Sequence, residues 1–372
     1  MYKYLFIALI ALITACNQRD RIENIAVGDP IQTEVVAEQM EQYKVPGVSI
    51  AVINNGDIEW ARGYGMADVE QQRAVTTETL FQAASISKPV AAMAALRLVE
   101  QRLLDLDTDV NVKLIRWKVA ENEFTTKNKV TLRRLLSHTA GTTVWGFPGY
   151  ASGETVPATV GVLNGEGNTD PIIVYKEPGE SWQYSGGGYT IVQLLLSDMV
   201  GKPFPEIMSE MVLQPVGMNS STYEQPLPER WHAYAASGYR GDGTKVKGNW
   251  HTYPEMAAAG LWTTPTDLAR FAIAIQRAYA GEVETILTQA MVRQMLTPGM
   301  NNHGLGPGIS EDGLRFGHGG ANEGFRCEFM AFAEGGNGVV VMTNSDNGGK
   351  LAHEIILSIA EGYGWRGFAP EE

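Results

Sequence analysis

Ser85-Ile86-Ser87-Lys88 is the only place in this 372-residue chain where a lysine follows a serine by three residues, and it opens a stretch carrying Ala91, Ala92, Ala94 and Ala95. Three residues is nearly one helical turn. On a helix the hydroxyl and the amine therefore face the same side, close enough to share a proton. A serine hydroxyl is a weak nucleophile without a base, and an amine at that spacing can act as one. The first turn of a helix adds unpaired backbone N–H groups and the positive end of the helix dipole, which disfavour an ammonium and stabilise a developing oxyanion. The chemistry so assembled is acyl transfer through serine. A lone Ser-x-x-Lys arises about once by chance in a chain of this length, and an N-cap serine beside a surface lysine explains it as well. Other residues must decide.

The elements that would position this pair read as follows. Residues 48–53 and 58–61 flank Asn54-Asn55-Gly56-Asp57 and predict a β-hairpin. Residues 329–332 and 339–342 flank Gly335-Gly336-Asn337-Gly338 and predict another, followed by a helix over 351–361. Helices are expected over 32–42, 85–104, 131–137, 189–200 (stopped by Gly201) and from Thr264-Pro265-Thr266-Asp267 to Gly281. Strands at both ends with helices between predict an α+β fold. The N- and C-terminal segments share one antiparallel sheet flanked by helices, a mostly helical lobe is inserted, and a cleft lies between the two.

With 44% hydrophobic residues the chain can bury a sizeable core, and its net charge of −13 argues against a nucleic-acid partner. Residues 1–16 read as an export leader, with Lys3 before an apolar run too short to span a bilayer comfortably. Its end, Ile13-Thr14-Ala15-Cys16, resembles the bacterial lipoprotein signal, which implies a lipid on Cys16 and a membrane tether. Asn17 after the cysteine then points to the periplasmic face of the outer membrane, in the exported cell envelope. Residues 17–30 would be a linker and 31–372 the folded unit, with a sheet lobe from about 31–84 and 255–372 and a helical lobe from about 85–254. Cys327 is expected to be a buried strand residue without a disulfide partner.

Three segments make the chain resemble the serine β-lactamase and penicillin-binding-protein superfamily, particularly its class C β-lactamase, D,D-peptidase and family VIII esterase branch. Phe81-Gln82-Ala83-Ala84-Ser85-Ile86-Ser87-Lys88 resembles the nucleophile motif. Tyr184-Ser185-Gly186-Gly187-Gly188-Tyr189, reached through Glu177-Pro178-Gly179, resembles the Tyr-x-Asn segment. His318-Gly319-Gly320 resembles the Lys-Thr-Gly strand, often His-x-Gly in esterase-like members. Leu135-Leu136-Ser137-His138-Thr139-Ala140-Gly141 and Gly260-Leu261-Trp262-Thr263-Thr264-Pro265-Thr266-Asp267-Leu268 also match segments of the branch, all in the family's order.

The resemblance implies a β-lactamase/transpeptidase-like fold, Ser85 as the acylated nucleophile, Lys88 as its base partner and Tyr184 as the proton shuttle to the leaving atom. It implies an oxyanion hole from the backbone N–H groups of Ser85 and Ala321, and substrate contacts at His318, Gly319, Gly320, Gly186 and Trp145. Whether Lys88 or Tyr184 takes the first proton stays open. The implied substrate is a small-molecule or peptide ester, amide or β-lactam, and the chemistry needs no metal or organic cofactor. Two departures stand out. Gly186 occupies the place of the asparagine whose amide would contact the lysine and a substrate acylamino carbonyl. His318 occupies the place of a lysine, and an imidazole holds a substrate carboxylate less firmly than an ammonium. Both favour an esterase or peptidase over an efficient β-lactamase; a non-catalytic, peptidoglycan-binding envelope protein of the same fold is the alternative.

Competing motifs are weak. No Gly-x-Ser-x-Gly elbow is present, His353-Glu354 lacks a second histidine one turn on, and the six histidines are scattered. His138 is expected to brace the helical lobe and Asp267 to start a helix. Trp145, Phe147 and Tyr150 are expected near the cleft entrance, within a loop running from 145 to 170.

Overall fold

The protein is described here by a computed structural model that covers residues 33–282 and 286–367. The leader, the linker and the Cys16 expectation lie outside the described residues. Among the described residues, nine strands form two sheets: β1 (Gly47–Asn54), β2 (Asp57–Asp68), β3 (Arg73–Ala74), β4 (Phe81–Gln82), β5 (Trp262–Thr263), β6 (Gly308–Ile309), β7 (Arg315–Asn322), β8 (Phe325–Phe332) and β9 (Gly338–Thr343). The helices are α1 (Thr33–Tyr43), α2 (Ser87–Glu100), α3 (Leu132–Leu136), α4 (Thr159–Asn164), α5 (Gly186–Val200), α6 (Phe204–Met208), α7 (Glu229–His232), α8 (Met256–Ala259), α9 (Pro265–Ala280), α10 (Gln289–Met295) and α11 (Gly348–Gly362).

The large sheet runs β3-β2-β1-β9-β8-β7-β6, antiparallel throughout. Its middle joins the two ends of the chain, Val48 opposite Thr343 and Val52 opposite Val339. Successive strand side chains point to opposite faces, so β1 and β9 feed two cores. Val48, Ile50, Val52, Val339 and Val341 pack with Val36 of α1 and with Leu351, Ile355 and Ile359 of α11. Ala51, Ile53, Val340 and Met342 face the other way, into the larger core shared with α2, α5 and α9. Two covered faces explain why β9 reads as an apolar run and why β1 is interrupted within 48–53 only by Ser49.

In α2, every residue from Ser87 to Leu96 is buried. Small alanines let this helix sit among neighbours on all sides, as a helix apolar all round must. A short 3-10 turn, Ala84–Ile86, precedes it, so the expected helix start at Ser85 is a tighter turn leading into α2. Among the described residues, no helix is long and apolar enough to cross a membrane.

Candidate active site

The nucleophile segment is fixed from behind. β4 pairs with β5, Phe81 opposite Thr263 and Gln82 opposite Trp262. Ala83 N–H donates to the Leu261 carbonyl at 2.8 Å, and Ser87 Oγ donates to the Ala84 carbonyl at 2.6 Å while accepting from Leu261 N–H at 3.0 Å. Ala84, immediately before Ser85, has φ of +50°. A non-glycine residue there carries strain of roughly 1–3 kcal/mol, which the surrounding bonds hold in place. Ser85 itself is half-buried.

Lys88 is 2% exposed. Its Nζ lies 3.0 Å from Ser85 Oγ and donates to the Ala258 carbonyl of α8 at 2.8 Å. The same Nζ stands 5.0 Å from the centre of the Tyr184 ring and 5.8 Å from that of Tyr189. The three residues singled out for catalysis therefore meet at one point, although Tyr184 is about a hundred positions from the other two.

β7 closes the other side. A Cβ on Gly320 would lie 2.2 Å from the Ala83 carbonyl oxygen, so only a glycine lets this strand reach the nucleophile turn. Asn322 Nδ2 donates to Gln82 Oε1 at 2.8 Å and to the Ala259 carbonyl at 3.1 Å, and the Cys327 thiol contacts the Gln82 carbonyl at 3.1 Å. Cys327 is a buried strand residue, and burial pushes its thiol up to about 12. A cavity of about 820 Å³ joins Ser85, Lys88, Tyr184 and the stretch from His318 to Asn322, with Trp145 and Phe147 on its opposite rim.

His318 Nδ1 donates to the Gly319 carbonyl at 2.6 Å. Burial, then the nearby Lys88 and His303, holds its pKa well below the ordinary imidazole range. The ring is neutral at neutral pH. His138, expected to brace the helical lobe, holds the residue before α5: its Nδ1 accepts from Ser185 N–H at 3.1 Å, placing the neutral ring's proton on Nε2, and its ring lies 4.3 Å from that of Tyr184. Burial pushes its pKa down as well. Sequence reasoning missed His303. Its ring lies 4.8 Å from His138 and 6.3 Å from His318, and burial lowers its pKa to about 4. No spacing signal connects positions 138, 303 and 318; only the tertiary fold does.

Three expectations change. The Gly186-Gly187-Gly188 run begins α5, three residues before the expected start, because the Ser185 hydroxyl accepts from Gly188 N–H at 3.0 Å and caps it. Tyr150 does not line the cleft; it is buried, and its hydroxyl accepts from Asn168 N–H at 3.0 Å. The 145–170 segment is not wholly loop, since α4 lies inside it and ends on Gly165 at φ of +75°. Asp267 behaves as expected, in the first turn of α9, buried and bonded to Ser220 N–H and the Ser221 hydroxyl, each at 2.8 Å.

Residues 33–363 match the sequence profile of the family described as Beta-lactamase. The chain belongs to that family. Among relatives of this beta-lactamase family member, esterase EstB of Burkholderia gladioli is 29% identical over 210 residues, 53% of this chain and 52% of that protein. Penicillin-binding protein 4* of Bacillus subtilis is 30% identical over 202 residues, 52% of this chain and 42% of that protein. The matched stretch thus spans about half the length, or less, of these relatives. A solved structure, the octameric penicillin-binding protein homologue from Pyrococcus abyssi, superimposes with a TM-score of 0.74 at 25% identity, over 89% of this chain and 76% of that one.

Proposed function

We propose that the protein is a serine hydrolase that forms an acyl-enzyme at Ser85 and cleaves esters or peptide-type amides in preference to β-lactams. The observation that carries this reading is the 3.0 Å approach of a buried Lys88 Nζ to Ser85 Oγ, with the amine anchored on the Ala258 carbonyl. In the reaction, the Ser85 hydroxyl proton passes to the Lys88–Tyr184 pair as Oγ bonds to the substrate carbonyl carbon. The backbone N–H groups of Ser85 and Ala321 stabilise the oxyanion. Tyr184 delivers the proton to the leaving atom as its bond to carbon breaks, and water then releases the acid from Ser85.

The neutral His318 supports the preference over β-lactams, because it supplies no positive charge for the carboxylate that a β-lactam carries. The family relatives named an esterase and a penicillin-binding protein are consistent with either substrate. The proposal extends to the lipid on Cys16, which would tether the unit at the periplasmic face of the outer membrane. Intact-protein mass spectrometry tests the core of the reading. A fluorophosphonate should add one adduct to wild type and none to Ser85→Ala, and a p-nitrophenyl ester should turn over faster than a cephalosporin. Folded wild type that takes no adduct and turns over neither substrate would favour a binding role instead.

A further inference from the structure

The departure at Gly186 is coupled to the loop opposite it. A Cβ on Gly186 would lie 2.9 Å from Cε2 of Phe147 and 3.2 Å from the Trp145 carbonyl oxygen. The Phe147 ring thus stands where a side chain at position 186 would begin. The loop that carries it is locked to the start of α5: Gly186 N–H donates to the Trp145 carbonyl at 3.1 Å and Gly187 N–H to the Val144 carbonyl at 3.0 Å. Gly187 has no more room, since its Cβ would lie 2.6 Å from the Thr143 carbonyl oxygen. Between these anchors Val144 sits at φ of +62°, a costly conformation for a β-branched residue. Trp145, the next residue, is 69% exposed, with its ring 5.5 Å from that of Tyr184.

Phe147, Trp145 and Pro148 line the cavity together, so this rim is apolar. The charged groups at the far end of the cavity are already engaged or of the wrong sign for an acid. The Arg326 guanidinium donates to the Asn322 carbonyl at 2.6 Å and pairs with Asp346 at 2.9 Å, and Glu328 would repel a carboxylate.

We infer that Phe147, with Trp145, forms an apolar subsite for the acyl half of a neutral ester, taking an unsubstituted aliphatic chain where an acylamino group would otherwise be held. The inference rests on the hydrolase reading above and names its substrate class. An aliphatic chain laid on these rings leaves water without leaving a polar group unpaired, whereas an acylamino substrate would bury an amide against a phenyl ring. Acyl length should therefore raise kcat/KM, and alcohol length should not.

The test compares p-nitrophenyl hexanoate with the acetate, ethyl acetate with hexyl acetate, and the p-nitrophenyl esters of hexanoate and N-acetylalanine. Wild type is expected to favour hexanoate over acetate by about tenfold or more, in line with the few methylenes added to an apolar site. Phe147→Ala should lower that ratio about tenfold, and Phe147→Ala with Gly186→Asn should shift preference towards the N-acetylalanine ester by a similar factor. Phe147→Leu keeps most of the volume and serves if the alanine variant fails to fold. A flat acyl series in a wild type that a fluorophosphonate labels at Ser85 overturns the subsite alone. So does a preference set by alcohol length, or a ratio unmoved by Phe147 variants that are still labelled. Absence of labelling overturns the hydrolase reading and this inference together.

Discussion

The two walls of the cleft are built by different means. On the nucleophile side, main chain meets main chain: β7 touches the Ala83 carbonyl through Gly320, Ala84 is held at positive φ, and Lys88 is moored to a backbone carbonyl. On the opposite side the loop from Thr142 to Pro148 is also tied to helix α5 through its backbone, but the surface it turns to the cavity consists of the Trp145 and Phe147 side chains. The candidate catalytic geometry is thus fixed by backbone contacts, with no room for an added Cβ at Gly320. Recognition is written in side chains that can be exchanged while the loop keeps its bonds.

The sharpest way to break this comparison is to remove the reactive groups. Lys88→Ala and Tyr184→Phe should each lower turnover of a good ester by at least ~100-fold, with circular dichroism and melting close to wild type. Near-normal rates from either would remove that residue from the chemistry and weaken the idea that the first wall holds it. A smaller effect separates backbone contact from side-chain contact. Gly320→Val should cost about 1–3 kcal/mol in urea unfolding, because its Cβ has nowhere to go against Ala83. Gly319→Ala, one residue away, would meet only the Cys327 carbonyl oxygen, at an ordinary contact distance of 3.9 Å, and should stay within about 0.5 kcal/mol. Equal losses from both would mean that the strand, and not the contact with the nucleophile turn, sets the cost.

Where local chemistry decides the structure, the residues announce it. The first hairpin turns through Asn55 at φ of +52° and Gly56 at φ of +79°, the pair of positive angles that an Asn-Gly turn supplies. Helix α9 starts where the Thr264 hydroxyl accepts from Asp267 N–H at 3.1 Å and ends on Gly281 at φ of +76°. The antiparallel sheet joining both ends of the chain, and the α+β class with it, followed from those hairpins. Where long-range contacts decide, the residues are silent. The expected start of α5 falls at 189, after the three glycines, because nothing nearby reveals that the Trp145 and Val144 carbonyls will receive the N–H groups of Gly186 and Gly187. The same blindness hid His303, which only the fold brings beside His138 and His318, and the close approach of the Phe147 ring to Gly186.

The smallest effect probes how much misfit the first wall tolerates. Glu255 immediately precedes α8 without a side-chain capping bond, three residues before the carbonyl that holds Lys88, and it is 0% exposed. Neither carboxyl oxygen has a hydrogen-bond partner beyond its own backbone, and burial raises its pKa to about 8. A carboxyl that stays protonated when folded but ionises near 4.5 when unfolded favours the folded state at acid pH. That advantage is lost as pH climbs from about 4.5 to about 8, and the loss then levels off. Glutamine does not titrate, so Glu255→Gln should gain on wild type across the same window, by about 2–4 °C in Tm between pH 5 and pH 8. A constant gap between the two melting curves would mean that the folded carboxyl is ionised and partnered. The buried acid would then be one more tie in the first wall, and the contrast between a backbone-built wall and a side-chain-built one would lose part of its force.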